Sequence, residues 1–163
     1  ISSAQFITLQ EEMTLVESYA KIQKIRFNGK FDFRYEIAPE TEEILVPKLI
    51  VQPIVENAVI HGMAEKIRIR VDAGKHWVRF SVSDDGAGIP QEKLEHLCGD
   101  YMELADTSSG DKKHNMGIGL IVCRDIIKVH GGNFEGRNQL EGGTEFWFTL
   151  PLKEEGQYGG HKG

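Results

Sequence analysis

The stretch Gln52-Pro53-Ile54-Val55-Glu56-Asn57-Ala58-Val59-Ile60-His61-Gly62 sets a carboxylate, a carboxamide and an imidazole into an otherwise apolar run of helical length. Glu56 and Asn57 are adjacent, and His61 follows Asn57 by four residues, so a helix puts Asn57 and His61 on one face. Burying three polar groups costs free energy unless each finds a partner. A carboxamide oxygen beside an acid suits Mg²⁺, which takes oxygen ligands and keeps water and substrate phosphate in its shell. An imidazole on the same face can reach a phosphate oxygen. The bland alternative is a helix whose polar side faces water.

Three glycine-bearing stretches follow. Asp84-Asp85-Gly86-Ala87-Gly88-Ile89 ends an alternating apolar run with a carboxylate and then turns on two glycines. A buried carboxylate at a strand end can accept a hydrogen bond from an exocyclic amine such as adenine N6, and the glycines let backbone approach a ligand closely. In isolation a plain Asp-Gly turn looks the same. Asn115-Met116-Gly117-Ile118-Gly119-Leu120 is expected at a helix start, where free N–H groups and the helix dipole suit a phosphate. It is neither a Walker loop, since no GKS or GKT occurs, nor a Rossmann fingerprint, since the glycine spacing fails and no βαβ unit surrounds it. Gly142-Gly143-Thr144 enters a strand, where the Thr144 hydroxyl is placed to bond adenine or a water on Asp84; alone it also reads as a hairpin turn.

The elements that must position these residues are legible from periodicity. Thr8-Leu9-Gln10-Glu11 is a capping box. Behind it Leu9, Met13, Val16, Ala20, Gln23 and Phe27 form one helical stripe, and Leu15, Tyr19 and Ile22 a second. The two stripes either pack on this domain and on a partner, or form one wide buried face. Gly29 closes the helix. Phe31, Phe33, Tyr35 and Ile37 alternate with charged residues as a strand. Ala38–Glu43 is a loop, Pro47 fits the first turn of the next helix, and Pro53 is expected to kink or restart it. Lys66–Asp72 and Trp77–Asp84 are paired strands around Ala73-Gly74-Lys75, with Ile67, Ile69, Val71, Val78, Phe80 and Val82 on the buried face. Pro90–Leu97 reads as a short helix, Gly99–Asn115 as a long mobile loop, Gly117–His130 as a helix stopped by Gly131-Gly132, and Asn133–Arg137 and Thr144–Leu150 as closing strands. The fold class is α+β: a mixed, mainly antiparallel sheet with helices on one face.

The 163 residues are enough for one domain with a real core, and 40% hydrophobic and 27% charged content is ordinary for a globular chain. A net charge of −6 disfavours nucleic acid or an anionic membrane as the main partner. It does not disfavour a nucleotide, since backbone N–H groups and Mg²⁺ carry the local charge. Cys98 and Cys123 have no metal-ligand spacing and are read as a reduced pair. No apolar run reaches the length of a membrane span. The chain opens on Ile1 and is read as part of something longer, with 153–163 as a disordered tail.

An asparagine-bearing helix, DxGxG, GxGL and GGT, in that order, resemble the GHKL (Bergerat-fold) ATP-binding domain of sensor histidine kinases, Hsp90, type II topoisomerases and mismatch-repair ATPases. Within that group the chain looks like the catalytic domain of a bacterial sensor histidine kinase. Val46-Pro47-Lys48-Leu49-Ile50-Val51-Gln52-Pro53 before Glu56-Asn57, and the helix ending Ile22-Gln23-Lys24-Ile25-Arg26-Phe27, resemble the autolysin-sensor (LytS/YesM-type) branch.

The resemblance implies a Bergerat-type two-layer sandwich over 29–152, preceded by a linker or dimerisation-proximal helix over 1–28. It implies ATP and Mg²⁺, with Asn57 as metal ligand and Glu56 polarising the attacking group. It further implies His61 near the phosphates, Asp84 on adenine with Gly86, Gly88 and Ile89 around it, Gly117, Gly119 and Leu120 at the phosphate end of a lid over 98–116, and Thr144 supporting the adenine contact. The implied partners are an upstream phosphoacceptor and dimerisation segment, a response regulator and a second copy in the full-length protein, whose attachment to a membrane is also implied.

Two departures stand out. The second motif carries Asp85 where asparagine is usual, and Gly119–Gly132 looks more like orthodox histidine kinases. No phosphoacceptor is evident: His76 reads as strand, His96 and His114 flank the lid, His130 ends a helix and His161 lies in the tail. This chain is therefore expected to bind ATP without phosphorylating itself. The rival readings are a GHKL ATPase or anti-sigma-factor-type serine kinase, and a non-catalytic nucleotide-sensing or dimerisation module.

Overall fold

Alternation of apolar and polar residues builds the sheet, and capped amphipathic stretches build the layer above it. The computed structural model of the protein describes residues 6–60, 64–98 and 112–152. In chain order the elements are β1 (Phe6–Thr8), α1 (Leu9–Arg26), β2 (Asp32–Ile37), a single 3₁₀ turn at Pro39–Thr41, β3 (Leu45–Pro47), α2 (Gln52–Ile60), β4 (Lys66–Ala73), β5 (Trp77–Asp84), α3 (Gln91–Cys98), α4 (Lys112–Val129), β6 (Asn133–Asn138) and β7 (Thr144–Pro151). Five strands form one sheet in the order β2-β4-β5-β7-β6, parallel only between β2 and β4. This is the α+β architecture expected, a mixed sheet that is mainly antiparallel.

Register carries the core across the whole sheet. Ile37, Val71, Phe80, Phe148 and Phe134 lie directly opposite one another in one row through all five strands. Phe80 stacks on Phe148 with ring centroids 4.5 Å apart, and Phe134 on Phe146 at 5.7 Å. Because side chains alternate along a strand, every second row faces the same helices. The next row pairs Tyr35 with Ile69, Val82 and Phe146, and the row after it pairs Phe33 with Ile67 and Asp84. Asp84 thus takes a position on the apolar face of the sheet. Helix α2 packs over β4 and β5, α3 over β6, and α4 over β6 and β7. The opposite face carries Arg70, Ser81, Trp147 and Glu135 in one row, with the guanidinium groups of Arg79 and Arg137 at 5.3 and 5.5 Å from the Trp147 ring.

Helix α1 begins as its capping box dictates. Thr8 accepts the Glu11 N–H at 3.1 Å and the Glu11 carboxylate takes the Thr8 N–H at 2.9 Å. Its first stripe is buried at Leu9, Met13, Val16, Ala20 and Gln23 but not at its last member, Phe27, which is exposed beyond the helix end, as are Leu15 and Ile22 of the second stripe, and Ile25 is 78% exposed. The stripes are therefore separate faces, with Tyr19 half-buried between them.

Several local expectations are corrected. Pro47 does not open a helix but ends β3, which pairs with β1 in a small two-stranded sheet. Pro53 neither kinks nor restarts α2; it sits in the first turn, where a missing N–H leaves no intrahelical bond unmade. Helix α4 starts at Lys112 rather than near Gly117. His114, expected at the lid, falls within α4, and His76 lies in the turn before β5 rather than on a strand, while His96 lies in α3, as the helix expected over Pro90–Leu97 implies. The expected lid falls mostly on 99–111, and the tail on 153–163, both outside the described residues. Among the described residues no helix is long and apolar enough to cross a membrane. Both cysteines are free.

Candidate functional site

Asp84 is 7% exposed at the end of β5. Its Oδ1 accepts the N–H of Gly86 at 2.9 Å and of Thr144 at 3.3 Å. Burial pushes its carboxyl above the usual range, the two N–H bonds pull it back, and Asp85 nearby adds to the rise. Among the described residues both bonds fall on one oxygen, which leaves the other for an amine donor. The surrounding turn needs its glycines. A Cβ on Gly143, at φ +88°, would stand 1.9 Å from the Asp84 carbonyl oxygen, and one on Gly88, at φ +87°, would stand 3.0 Å from Asn138 Oδ1. The tight passage of Gly142-Gly143 under Asp84 is what presents the Thr144 N–H to it.

Asp85 turns away from this pocket. Its Oδ1 accepts the N–H of Glu65 at 2.8 Å and of Lys66 at 2.9 Å, at the start of β4. Partial burial opposes its ionisation, but these N–H bonds and Lys66 outweigh that and hold its carboxyl below the usual range. The acid where asparagine is usual thus ties β5 back to β4.

On α2, Asn57 is buried and its Oδ1 has no hydrogen-bond partner. A buried carbonyl-type oxygen left unpaired costs about 1–3 kcal/mol, so it calls for a ligand. Glu56 beside it is half-buried, and its Oε2 accepts Gln52 Nε2 at 3.0 Å, which fixes the carboxylate along the helix. An orphaned amide oxygen next to an acid is the donor set Mg²⁺ takes alongside phosphate and water, so these residues fit that ion. His61 lies outside the described residues.

Gly117 and Gly119 do not sit at a helix start as expected, because α4 begins five residues before Gly117. They lie further along α4, where a Cβ on Gly119 would meet Pro53 of α2 at 3.8 Å. The glycine motif marks the crossing of α4 over the first turn of α2. Leu120 is fully buried in the core, and Ile89 is half-buried against it.

Two contributors to the site, and a buried arginine that braces α3, escaped the sequence reading. Asn138 accepts the Ile89 N–H at 2.8 Å and donates to the Ile89 carbonyl at 2.6 Å, while the Thr144 hydroxyl donates to Asn138 Oδ1 at 3.3 Å. Gln139 donates to the Asp84 carbonyl at 2.9 Å. Together they clamp the Asp84–Ile89 turn to the β6–β7 hairpin, beside a cleft of about 520 Å³. Arg124, 1% exposed, donates to the carbonyls of His96 and Leu97 and closes the end of α3. No local spacing announces these partners; an aligned β6–β7 register was the one signal available.

Fold and site together define an α+β nucleotide-binding domain with the helices on one side of the sheet. The profile of the histidine kinase-, DNA gyrase B- and HSP90-like ATPases matches residues 43–154. The sensor protein LytS of Bacillus cereus is 29% identical over 155 residues, covering 90% of this chain and 25% of that protein. The sensor histidine kinase/phosphatase LytS of Staphylococcus aureus is 26% identical over 162 residues, covering 94% of this chain and 26% of its own length. The solved catalytic domain of histidine kinase ThkA superposes with a TM-score of 0.67 at 28% identity, over 90% of this chain and 95% of that one. A mycobacterial sensor histidine kinase, MprB, shares the fold at a TM-score of 0.60 and 17% identity, over 91% and 97% of the two chains.

The chain belongs to the histidine kinase-, DNA gyrase B- and HSP90-like ATPase family, as an ATP-binding catalytic domain of the sensor histidine kinase type. It spans about a quarter of the length of the curated relatives it matches.

Proposed function

We propose that this domain binds Mg·ATP and transfers its γ-phosphoryl group to a histidine on a segment upstream of it, from which the group passes to an aspartate of a response regulator. The observation that carries the reading is the buried, unpartnered Oδ1 of Asn57 beside the fixed carboxylate of Glu56. Asp84 reads the exocyclic amine of adenine through its second oxygen. Gly86, Gly88 and Ile89 shape the pocket, and Thr144 supports it. Asn57 would hold Mg²⁺, which when bound neutralises phosphate charge. Gly117, Gly119 and His61 are assigned to the phosphate end, and Leu120 packs the core behind them.

Glu56 accepts the proton on the far ring nitrogen of the attacking imidazole. The other nitrogen then forms its bond to the γ-phosphorus as the bond to the bridging oxygen breaks and ADP leaves with that electron pair. The parent protein is read as a membrane-attached homodimer supplying the phosphoacceptor segment; nucleic acid is not a partner in this reading.

Calorimetric titration tests it. Unmodified chain should bind Mg·ATP saturably, Asp84→Asn should lose binding by at least about 100-fold because an amide then faces the adenine amine donor to donor, and Asn57→Asp should change the Mg²⁺ dependence most. An upstream histidine-bearing fragment should acquire an acid-labile, base-stable label from ATP. No binding at millimolar Mg·ATP would sink the reading.

A further inference from the structure

Glu12 is a fully buried carboxylate on α1, in a helix whose neighbouring acid, Glu11, serves the capping box. Its two oxygens are spent on another part of the chain. Oε1 accepts the N–H of Leu49 at 2.9 Å and Oε2 that of Val51 at 3.0 Å. Val51 directly precedes α2, and its carbonyl accepts the N–H groups of Ile54 and Val55. The N–H groups at a helix start have no intrahelical acceptors, and the dipole there favours a negative group. Glu12 therefore caps α2 from a different helix.

The capped segment is held under constraint. Leu49 adopts φ +62°, a conformation that side chains such as leucine rarely take. Between the two capped residues, the Ile50 carbonyl accepts the Cys123 thiol of α4 at 3.0 Å. Leu49-Ile50-Val51 is thus pinned from α1 on one side and from α4 on the other. Two turns further along α1, Tyr19 stands on the same face as Glu12. Its hydroxyl is buried without a partner, and its pKa is pushed up to about 12 by burial and then by the charge of Glu56. Helix α1 accordingly runs beside α2 from its start to its acid.

We propose that Glu12 is a positioning residue for the nucleotide site: by capping α2 it fixes where Glu56 and Asn57 stand, and it links the posture of α1 to the Mg²⁺-binding end of the site. This rests on the ATP reading above. Residues around metal ligands commonly set metal affinity by about 10- to 100-fold, and Glu12 acts one step back, through the helix that carries Asn57. The adenine end depends on β5, β7 and the Asp84 turn, so it is not expected to respond. Coupling is reciprocal: if Glu12 positions Asn57, metal-dependent binding at Asn57 must tighten the Glu12 bonds.

The test compares the unmodified chain with Glu12→Gln, which keeps the shape but sets an amide NH₂ against one of the two N–H donors. Calorimetry with ADP in EDTA reads the adenine end, and ATP titrations with and without Mg²⁺ read the metal-dependent gain. Glu12→Gln should hold its Mg²⁺-free ADP affinity within about twofold while the metal-dependent gain falls by about tenfold or more. An unchanged gain would overturn the proposal, as would a parallel loss of both, which marks a merely structural residue.

The second arm needs no variant and decides the case where Glu12→Gln does not fold. Amide hydrogen exchange on the unmodified chain should show Leu49 and Val51 more protected with Mg·ATP than with ATP in EDTA, beyond any change at Phe80 in the sheet. Equal protection would overturn the proposal. Failure of the unmodified chain to bind Mg·ATP would instead overturn the underlying nucleotide reading.

Discussion

In the proposed reading Asp84 serves recognition at the expense of stability. It occupies a position on the apolar face of the sheet, in register with Ile67, and its burial raises its carboxyl above the ordinary range. A raised pKa in the folded state means folding favours the protonated acid. That contribution is fully present below the unfolded value of about 3.9 and is lost as pH rises through the folded value. At neutral pH the ionised group therefore weakens the fold. Asp84→Asn keeps an oxygen for the Gly86 and Thr144 N–H groups and removes the charge. Its melting temperature is expected to equal or exceed that of the unmodified chain at pH 7, with the gap closing toward pH 4. A melting series from pH 4 to 8 checks this, and a variant less stable at pH 7 would contradict it. Asp85 runs the other way: its carboxyl is held low, so its contribution is present above the unfolded value and fades as pH falls through the folded one.

The Asp84–Ile89 turn and the β6–β7 hairpin form one unit, because each is tied to the other: Thr144 and Gln139 donate to Asp84, and Asn138 to Ile89. Gly143 lies so close under the Asp84 carbonyl that any Cβ collides with backbone, which cannot move aside as a flexible side chain can. Gly143→Ala also imposes φ +88° on a residue with a side chain. The expected cost is about 3 kcal/mol or more, read as a fall in melting temperature, and the displaced Thr144 N–H should weaken nucleotide binding as well. A variant with unaltered melting would mean that the turn has another conformation open to it. The glycines and Asp84 were legible in the sequence because their spacing is local. Asn138 and Gln139 were not, since their partners are 49 and 55 residues away and an Asn-Gln pair before a hairpin turn reads as ordinary turn chemistry. The start of α4 was missed for a related reason: Lys112-Lys113-His114-Asn115 carries no apolar period, and Gly117 and Gly119 are poor helix formers.

At the scale of the whole molecule, the strands were readable from alternation over six to eight residues, whereas β1 and β3 have three residues each and leave no period to read. Glu12 was invisible as well, because Glu11 and Glu12 look alike as acids in a first helical turn. The boundary expected at residues 28 and 29 separates α1 from a domain over 29–152, yet the inner stripe of α1 shares its core. Leu9, Met13 and Val16 are packed among the buried residues of the rest of the chain. Burying each such side chain contributes about 1.5–3 kcal/mol, an upper figure for a real unfolded chain. Three of them are comparable with the whole stability of an ordinary domain, about 5–15 kcal/mol. Removing α1 also uncovers the N–H groups of Leu49 and Val51 that Glu12 holds. A fragment spanning 29–152 is therefore expected to lose its cooperative melting transition or to melt far below the full chain. Ile22→Ser and Ile25→Ser, on the exposed stripe, should each leave stability within about 0.5 kcal/mol. Parallel calorimetric melting of the fragment and the two variants checks both halves. A fragment as stable as the full chain would make α1 an appendage. Loss of stability in the serine variants would mean that the outer stripe is covered too, by a contact within the chain or with a second copy, which sedimentation at two concentrations would separate.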